Sequence, residues 1–379
     1  MKKIKILFIA GIVGVASACN SYLDVAPDNI ATLDYAFNLR SSAERFLFTC
    51  YSYMPDNGHF NTNSGFNTAD EVWYPNPPID INDDFYSIAL GLQNEALPFG
   101  DYWLGGNSGK PMFIALRDCN IFLDNIHKVD ELNEWEREQW IAEVKFLKAY
   151  YHFILFRTYG PIPLIKENMP ISAGPEEVQI SRAPVEEVVD YIVQLLDEAA
   201  ANVNLPDRIS GTENADLGRI TRAIVLAFKA KVLVTAASPL YNGNPEYAGF
   251  TDKEGQPLFN PSYEAGKWER AVAACREAIN FCEAQGYGLS TFPGNSGYGV
   301  NDTIQTELDY RTAITNKNSS IEVIWPNTNS MAADMQRWAM PLIAPGTSGS
   351  GPKGILAPTL KAVERYYSDH GIPITEDKT

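Results

Sequence analysis

Apolar positions recur at helical spacing over most of the chain. In PMFIALRDCNIFLDNIHK, Met112, Leu116, Cys119, Leu123 and Ile126 form one stripe, widened by Phe113 and Phe122. In the next stretch Trp140, Val144, Leu147, Tyr151 and Ile154 repeat on one face. Asn133 with Glu136 gives that helix a capping-box start, and Gly160-Pro161 ends it. A third helix is predicted from Pro184, which suits a first turn. Glu186 and Glu187 lie at the positive end of its dipole, and Val185, Val188, Val189, Ile192, Leu195, Leu196 and Ala199 make its apolar face. A fourth is capped by Thr221 and carries a seam of small residues, Ala223, Ala227, Ala230 and Val234. KWERAVAACREAINFCEAQG and PTLKAVERYYSDHG predict two more, and in the first of these Val272, Cys275, Ile279 and Cys282 share a stripe expected in the core.

These helices fall loosely into consecutive pairs, so the pattern predicts a mainly α protein of tetratricopeptide-like helix pairs, without the strict 34-residue consensus. Long irregular segments separate them, at about 56–108, 239–262 and 290–352, rich in Gly, Pro, Asn, Tyr and Trp. Loops of that length are functional or disordered, and their aromatic content argues against disorder. Within the last segment IEVIW alternates like a strand, with Trp325 expected to be packed.

The N-terminus follows a different pattern. Lys2, Lys3 and Lys5 precede an apolar run from Ile6 to Val15, too short to span a bilayer, and then Ala16-Ser17-Ala18 and Cys19. Two cuts fit: ordinary secretory cleavage, or lipoprotein cleavage that leaves Cys19 as an acylated first residue. A lipobox more often has Leu where Ala16 stands, but a cysteine at the cut favours residues 1–18 as a signal peptide and Cys19 as the lipid-bearing residue. Several fatty chains on Cys19 would hold a soluble domain, residues 19–379, on a membrane.

The remaining composition fits a packed core, with 45% hydrophobic residues among 379 and 18 Phe, 19 Tyr and 7 Trp. The formal charge of −17 becomes about −20 once the three lysines leave with the signal peptide, which disfavours nucleic acid and anionic lipid as partners. Cys275 and Cys282 are ~10 Å apart along a helix, too far to bridge. Cys50 and Cys119 are free to pair or to stay reduced.

Several segments resemble the SusD/RagB family of Bacteroidota outer-membrane lipoproteins. They are CNSYLDVAP, TADEVW, AEVKFLKAYYHFILFRTYGPIPLI, PVEEVVDYIVQLLDEAAANV, GRITRAIVLAFKAKVLVTAASPLYNG, KWERAVAACREAI, SSIEVIW and the PTLKAVERYYSDHGIPI region, in that family's order. The chain departs in having Lys145 and Lys148 where the family often has Arg. Family members also continue beyond the segment matching YYSDHGIPITED, so the chain is expected to be incomplete at its C-terminus. The resemblance implies a SusD-like α superhelix of four helix pairs whose loops form a ligand face. It implies a lipid-anchored protein of the outer membrane, at the cell surface, that captures an oligosaccharide and passes it to a SusC-like TonB-dependent barrel. Some relatives capture peptide instead. No catalysis and no cofactor are implied.

The residues agree in offering little to an enzyme. His59, His127, His152 and His370 form no metal-ligand motif, and His152 falls inside the aromatic helix as a core residue. GSGPKG follows no strand and contains Pro352, so it is not a dinucleotide site. Asp83-Asp84, Glu176-Glu177 and Glu186-Glu187 could suggest a glycoside hydrolase, but neighbours are common among 47 acidic residues. DINDD lacks the glycine and spacing of a calcium loop. Aromatic loops suit sugar better, because pyranose rings stack their C–H faces on flat rings while amides and charged groups bond the hydroxyls. The candidates are Trp73, Tyr74, Asn76 and Tyr86 in one loop, Tyr298 and Asn301 in a second, and Arg337 and Trp338 in a third. Tyr102 and Trp103 are expected to be structural. Competing readings are a peptide-capturing RagB-like lid, a secreted carbohydrate-active enzyme, and a helical scaffold that only covers the transporter.

Overall fold

A computed structural model describes residues 33–59, 62–74, 84–292, 300–315, 321–327, 332–341, 351–352 and 354–378. The signal segment, Cys19, Asn76 and Tyr298 lie outside these residues, as do Asp83 and parts of DINDD and GSGPKG.

The fold is mainly α. Its long helices are α1 (Arg40–Ser52), α2 (Met112–Asn125), α3 (Glu134–Tyr159), α4 (Val185–Ala201), α5 (Arg222–Ala237), α6 (Ala265–Ala284), α7 (Asp302–Thr315) and α8 (Ala332–Ala339). From α2 to α6 each helix packs on the next in the chain, and α1 packs on both α2 and α3. This order is what consecutive helix pairs predict. Among the described residues no helix is long and apolar enough to cross a membrane.

Helix α3 is the axis of the stack. Its stretch from Ala142 to Phe156 is buried almost without a break, so it must be enclosed by neighbours on every side. Only half of the predicted capping box forms. Asn133 Oδ1 accepts from the Glu136 amide at 2.8 Å, but the Glu136 carboxylate turns to the Arg40 guanidinium instead of back to Asn133. The helix ends at Gly160 with φ 72°, where a Cβ would stand 2.9 Å from the Phe259 ring, so this terminus needs glycine.

Glu143 is fully enclosed beside this axis. Its carboxylate accepts from Tyr51 Oη at 2.6 Å, Arg219 Nη2 at 2.7 Å and Gln139 Nε2 at 3.0 Å. Burial pushes the Glu143 carboxyl up, and Arg219 with the hydrogen bonds opposes that shift. His152 is enclosed too. Its Nδ1–H donates to the Lys148 carbonyl at 2.8 Å, and its Nε2 accepts from the Ile165 amide at 3.2 Å. Desolvation lowers its pKa to about 3, so the ring is a neutral clasp between α3 and the chain that follows it.

Four expectations are corrected. On α6 the buried side is Ala271, Ala274, Ala278 and Cys282, while Val272 and Ile279 are exposed and Cys275 is half-buried. Close packing against α5 selects the small residues, and the larger stripe turns outward. On α5 itself Ala223 and Ala230 are buried, but Val234 is exposed. The C-terminal helix lasts one turn, Leu360–Val363. Tyr366 and Tyr367 bury no apolar face, and a bridge from Tyr367 to Pro373 folds the chain back. No strand forms at 321–327, where Trp325 is half-buried against Phe146 and Tyr150, and the long segment around it contains α7 and α8. Cys50 and Cys119 are both buried and free.

Candidate functional site

A second, smaller core lies apart from the stack's. It consists of Tyr74, Tyr86, Trp338 and Leu356, flanked by Phe66, Val72, Ala89 and Ile355. Four distant segments reach it. Strand β1 (Val72–Trp73) pairs antiparallel with β2 (Ala357–Pro358), placing Val72 opposite Pro358 and Trp73 opposite Ala357. The end of α8 is tied to the chain leading into β2, since the Trp338 carbonyl accepts from the amides of Ile355 at 3.0 Å and Leu356 at 3.1 Å. A short helix, Asp84–Ala89, brings Tyr86.

The rings are held edge to face. Tyr74 lies 4.6 Å from Tyr86 and 6.5 Å from Trp338, centroid to centroid, and Trp73 lies 5.5 Å from Tyr86. Their polar ends are satisfied inward: Tyr74 Oη donates to Asn67 Oδ1 at 3.0 Å, and Tyr86 Oη donates to the Tyr74 carbonyl at 3.3 Å. Tyr74, Tyr86 and Trp338 are therefore enclosed, whereas Trp73 remains 42% exposed. The arrangement is one outward indole on a closed aromatic mount.

Beside the ribbon is a hollow of about 360 Å³, lined by Asp70, Glu71, Lys361, Arg365 and Tyr366. Asp70 pairs with Lys361, whose ammonium holds the carboxyl below its ordinary value. The carboxylates, guanidinium and exposed phenol of this hollow can bond hydroxyls, and the exposed Trp73 indole on the same ribbon can stack its face on an apolar ring face.

Of the predicted residues, the structure thus joins Trp73, Tyr74, Tyr86 and Trp338. Arg337 is on the same helix as Trp338 and pairs with Asp334 at 2.8 Å. Asn301 is not a member of the cluster; its Oδ1 caps α7, accepting from the Ile304 amide at 2.9 Å. Sequence reading missed β2 and the ionic rim from Asp70 to Tyr366, because no local pattern announces a two-residue strand. Tyr102 is buried and Trp103 packs on Phe113 and Tyr159, both structural as expected.

The acidic pairs have local partners. Glu186 meets Lys267 at 2.7 Å, Glu187 meets Lys166 at 3.5 Å, and Glu177 accepts from the Gly174 amide at 2.7 Å. Asp369, His370 and Asp377 present ligand-type atoms within 4.8 Å of one another in the final turn, and His370 Nδ1 lies 3.0 Å from Asp377 Oδ2.

Fold and site together define a helical-repeat protein that displays an aromatic surface on inserted loops. Residues 93–234 match a family model described as starch-binding and associating with the outer membrane. The SusD-like protein P25 of Formosa agariphila is 19% identical over 224 residues, which are 57% of this chain and 40% of that protein. The solved structure of BT4246 superposes with a TM-score of 0.72 at 27% identity, covering 90% of this chain and 59% of its own. A SusD-like protein of Bacteroides fragilis, BF3747, gives 0.59 at 18% identity over 92% of this chain and 56% of its own. Over these spans the chain is similar to SusD-like proteins and shares their fold, and it spans less than two thirds of the length of these relatives.

Proposed function

We propose that the protein is a surface lipoprotein that captures a glycan without cleaving it and passes it to a SusC-like TonB-dependent barrel. The observation that carries the reading is the exposed Trp73 indole on a closed mount of Tyr74, Tyr86 and Trp338. A stacking platform needs a ring that is fixed before the ligand arrives, since ordering it on binding would cost affinity. The family description as starch-binding and outer-membrane-associated supports both ligand and place. Attachment through Cys19 would follow from the leader, and Asn76, Tyr298, Asn301 and Arg337 would be further ligand contacts, Asn301 outside the aromatic cluster.

Native gel retardation of the protein made without residues 1–19, in a panel of soluble polysaccharides, tests this directly. The expected result is retardation by at least one glycan with no release of reducing sugar. Release of sugar would replace the reading with hydrolysis. A folded protein that no glycan retards would replace it with peptide capture or a lid without ligand.

A further inference from the structure

We propose that a second saccharide site lies on the helical stack, in a cleft of about 460 Å³ between the end of α1, α3 and the 321–327 segment. The proposal rests on the glycan-capture reading but shares no residue with the Trp73 cluster. Its working lining is Asp56, Asn57, Lys110, Tyr150, Trp325 and Asn327. The volume falls within the range of small-molecule sites.

The walls are fixed in advance. Trp325 Nε1–H donates to the Gly218 carbonyl at 3.2 Å, and its ring stands nearly perpendicular to Phe146 at 5.4 Å and Tyr150 at 5.7 Å. The floor is Tyr51, whose hydroxyl donates to the buried Glu143 at 2.6 Å and accepts from the Ile220 amide at 3.1 Å. The 53–59 turn is braced from within, its Asn57 carbonyl accepting from Asn63 Nδ2 at 3.0 Å. A half-buried indole held this way offers an apolar face that need not move on binding.

The rim decides the ligand class. Asp56 only accepts hydrogen bonds, Lys110 only donates, and Asn57 and Asn327 do both, with Asn57 Nδ2 also 3.5 Å from the Tyr150 hydroxyl. An anion would find a carboxylate at the rim, and an acyl chain would find charge. Vicinal hydroxyls, each both donor and acceptor, match the mixture, and the C–H face of the same ring matches Trp325. Two such sites on one molecule would let a long glycan bind at two points, raising its avidity above that of a short fragment.

The test uses the trisaccharide cut from whichever polysaccharide retards the protein. It is titrated while the indole N–H resonance of Trp325, assigned by Trp325→Phe, is followed by NMR. The proposal predicts a saturable shift of that resonance, and ~10-fold weaker trisaccharide binding at the cleft in Asn57→Ala with Lys110→Ala, where Asn57 is exposed and Lys110 half-buried, so that neither change opens the core. Trp73→Ala should leave the Trp325 shift in place. A polysaccharide that retards the protein while its trisaccharide leaves Trp325 unmoved overturns the cleft and spares the function. No retardation by any polysaccharide overturns both.

Discussion

The helical stack and the ribbon cluster use the same aromatic residues in opposite ways. In the stack, Trp140, Tyr151, Phe146, Phe153 and Phe156 come from one unbroken helix, and neighbours contiguous in the chain close over them. In the cluster, Tyr74, Tyr86, Trp338 and Leu356 come from segments up to 282 positions apart (74 to 356), joined by a two-residue ribbon and three carbonyl–amide bonds around α8. The first is stability made from local pattern. The second is a display surface made from long-range closure, with only enough core to hold one ring outward.

Four changes would break or sharpen that contrast. Trp140→Ala empties a fully enclosed site on α3 and should lower the unfolding free energy by about 3–5 kcal/mol, read from the urea midpoint. A change below about 1 kcal/mol would mean that the stack is not the stability centre.

Acid should act on the stack through His152. Its folded pKa of about 3 lies below its unfolded value of about 6.5, so between the two the unfolded chain binds the extra proton. Stability is then present above about pH 6.5 and falls by ~1.4 kcal/mol per pH unit toward pH 3. Urea midpoints at pH 7 and pH 5 should show roughly 2 kcal/mol more loss in the natural protein than in His152→Gln. Equal losses would show that the ring does not titrate on unfolding.

Trp338→Ala should act locally. The global midpoint should move by less than about 1 kcal/mol, while amide exchange at Ile355 and Leu356, which donate to the Trp338 carbonyl, becomes faster. A midpoint drop matching that of Trp140→Ala would merge the two regions into one cooperative unit. Lys361→Ala removes an exposed partner of Asp70 and should leave the melt unchanged, because surface pairs contribute little. A clear drop would make the ionic rim part of the ribbon's structure.

The sequence makes the stack legible because helical periodicity survives wherever one face is buried, as on α4, where the predicted face from Val185 to Ala199 is the buried one. It misleads on α6, where apolar residues occupy two faces and only packing against α5 decides for the alanines over Val272 and Ile279. The C-terminal PTLKAVERYYSDHG shows the complementary limit: helical propensity yields only one turn, Leu360–Val363, and among the described residues Leu360, Tyr366 and Tyr367 stay exposed. At the site, Trp73, Tyr74, Tyr86 and Trp338 could be singled out as aromatic loop residues, but not which one faces outward. That follows from the pairing of Val72–Trp73 with Ala357–Pro358, a contact no local pattern encodes.

Two exposed tryptophans allow the central claim to be tested with its own control. Trp73 is 42% exposed on the aromatic mount, and Trp135 is 56% exposed on the first turn of α3. Calorimetric titration with the glycan that retards the protein should show Trp73→Ala weakening binding by roughly 2 kcal/mol, about 30-fold, with Trp135→Ala unchanged. Equal affinities for the natural protein, Trp73→Ala and Trp135→Ala would contradict the claim that the ribbon cluster exists to present Trp73 to a glycan.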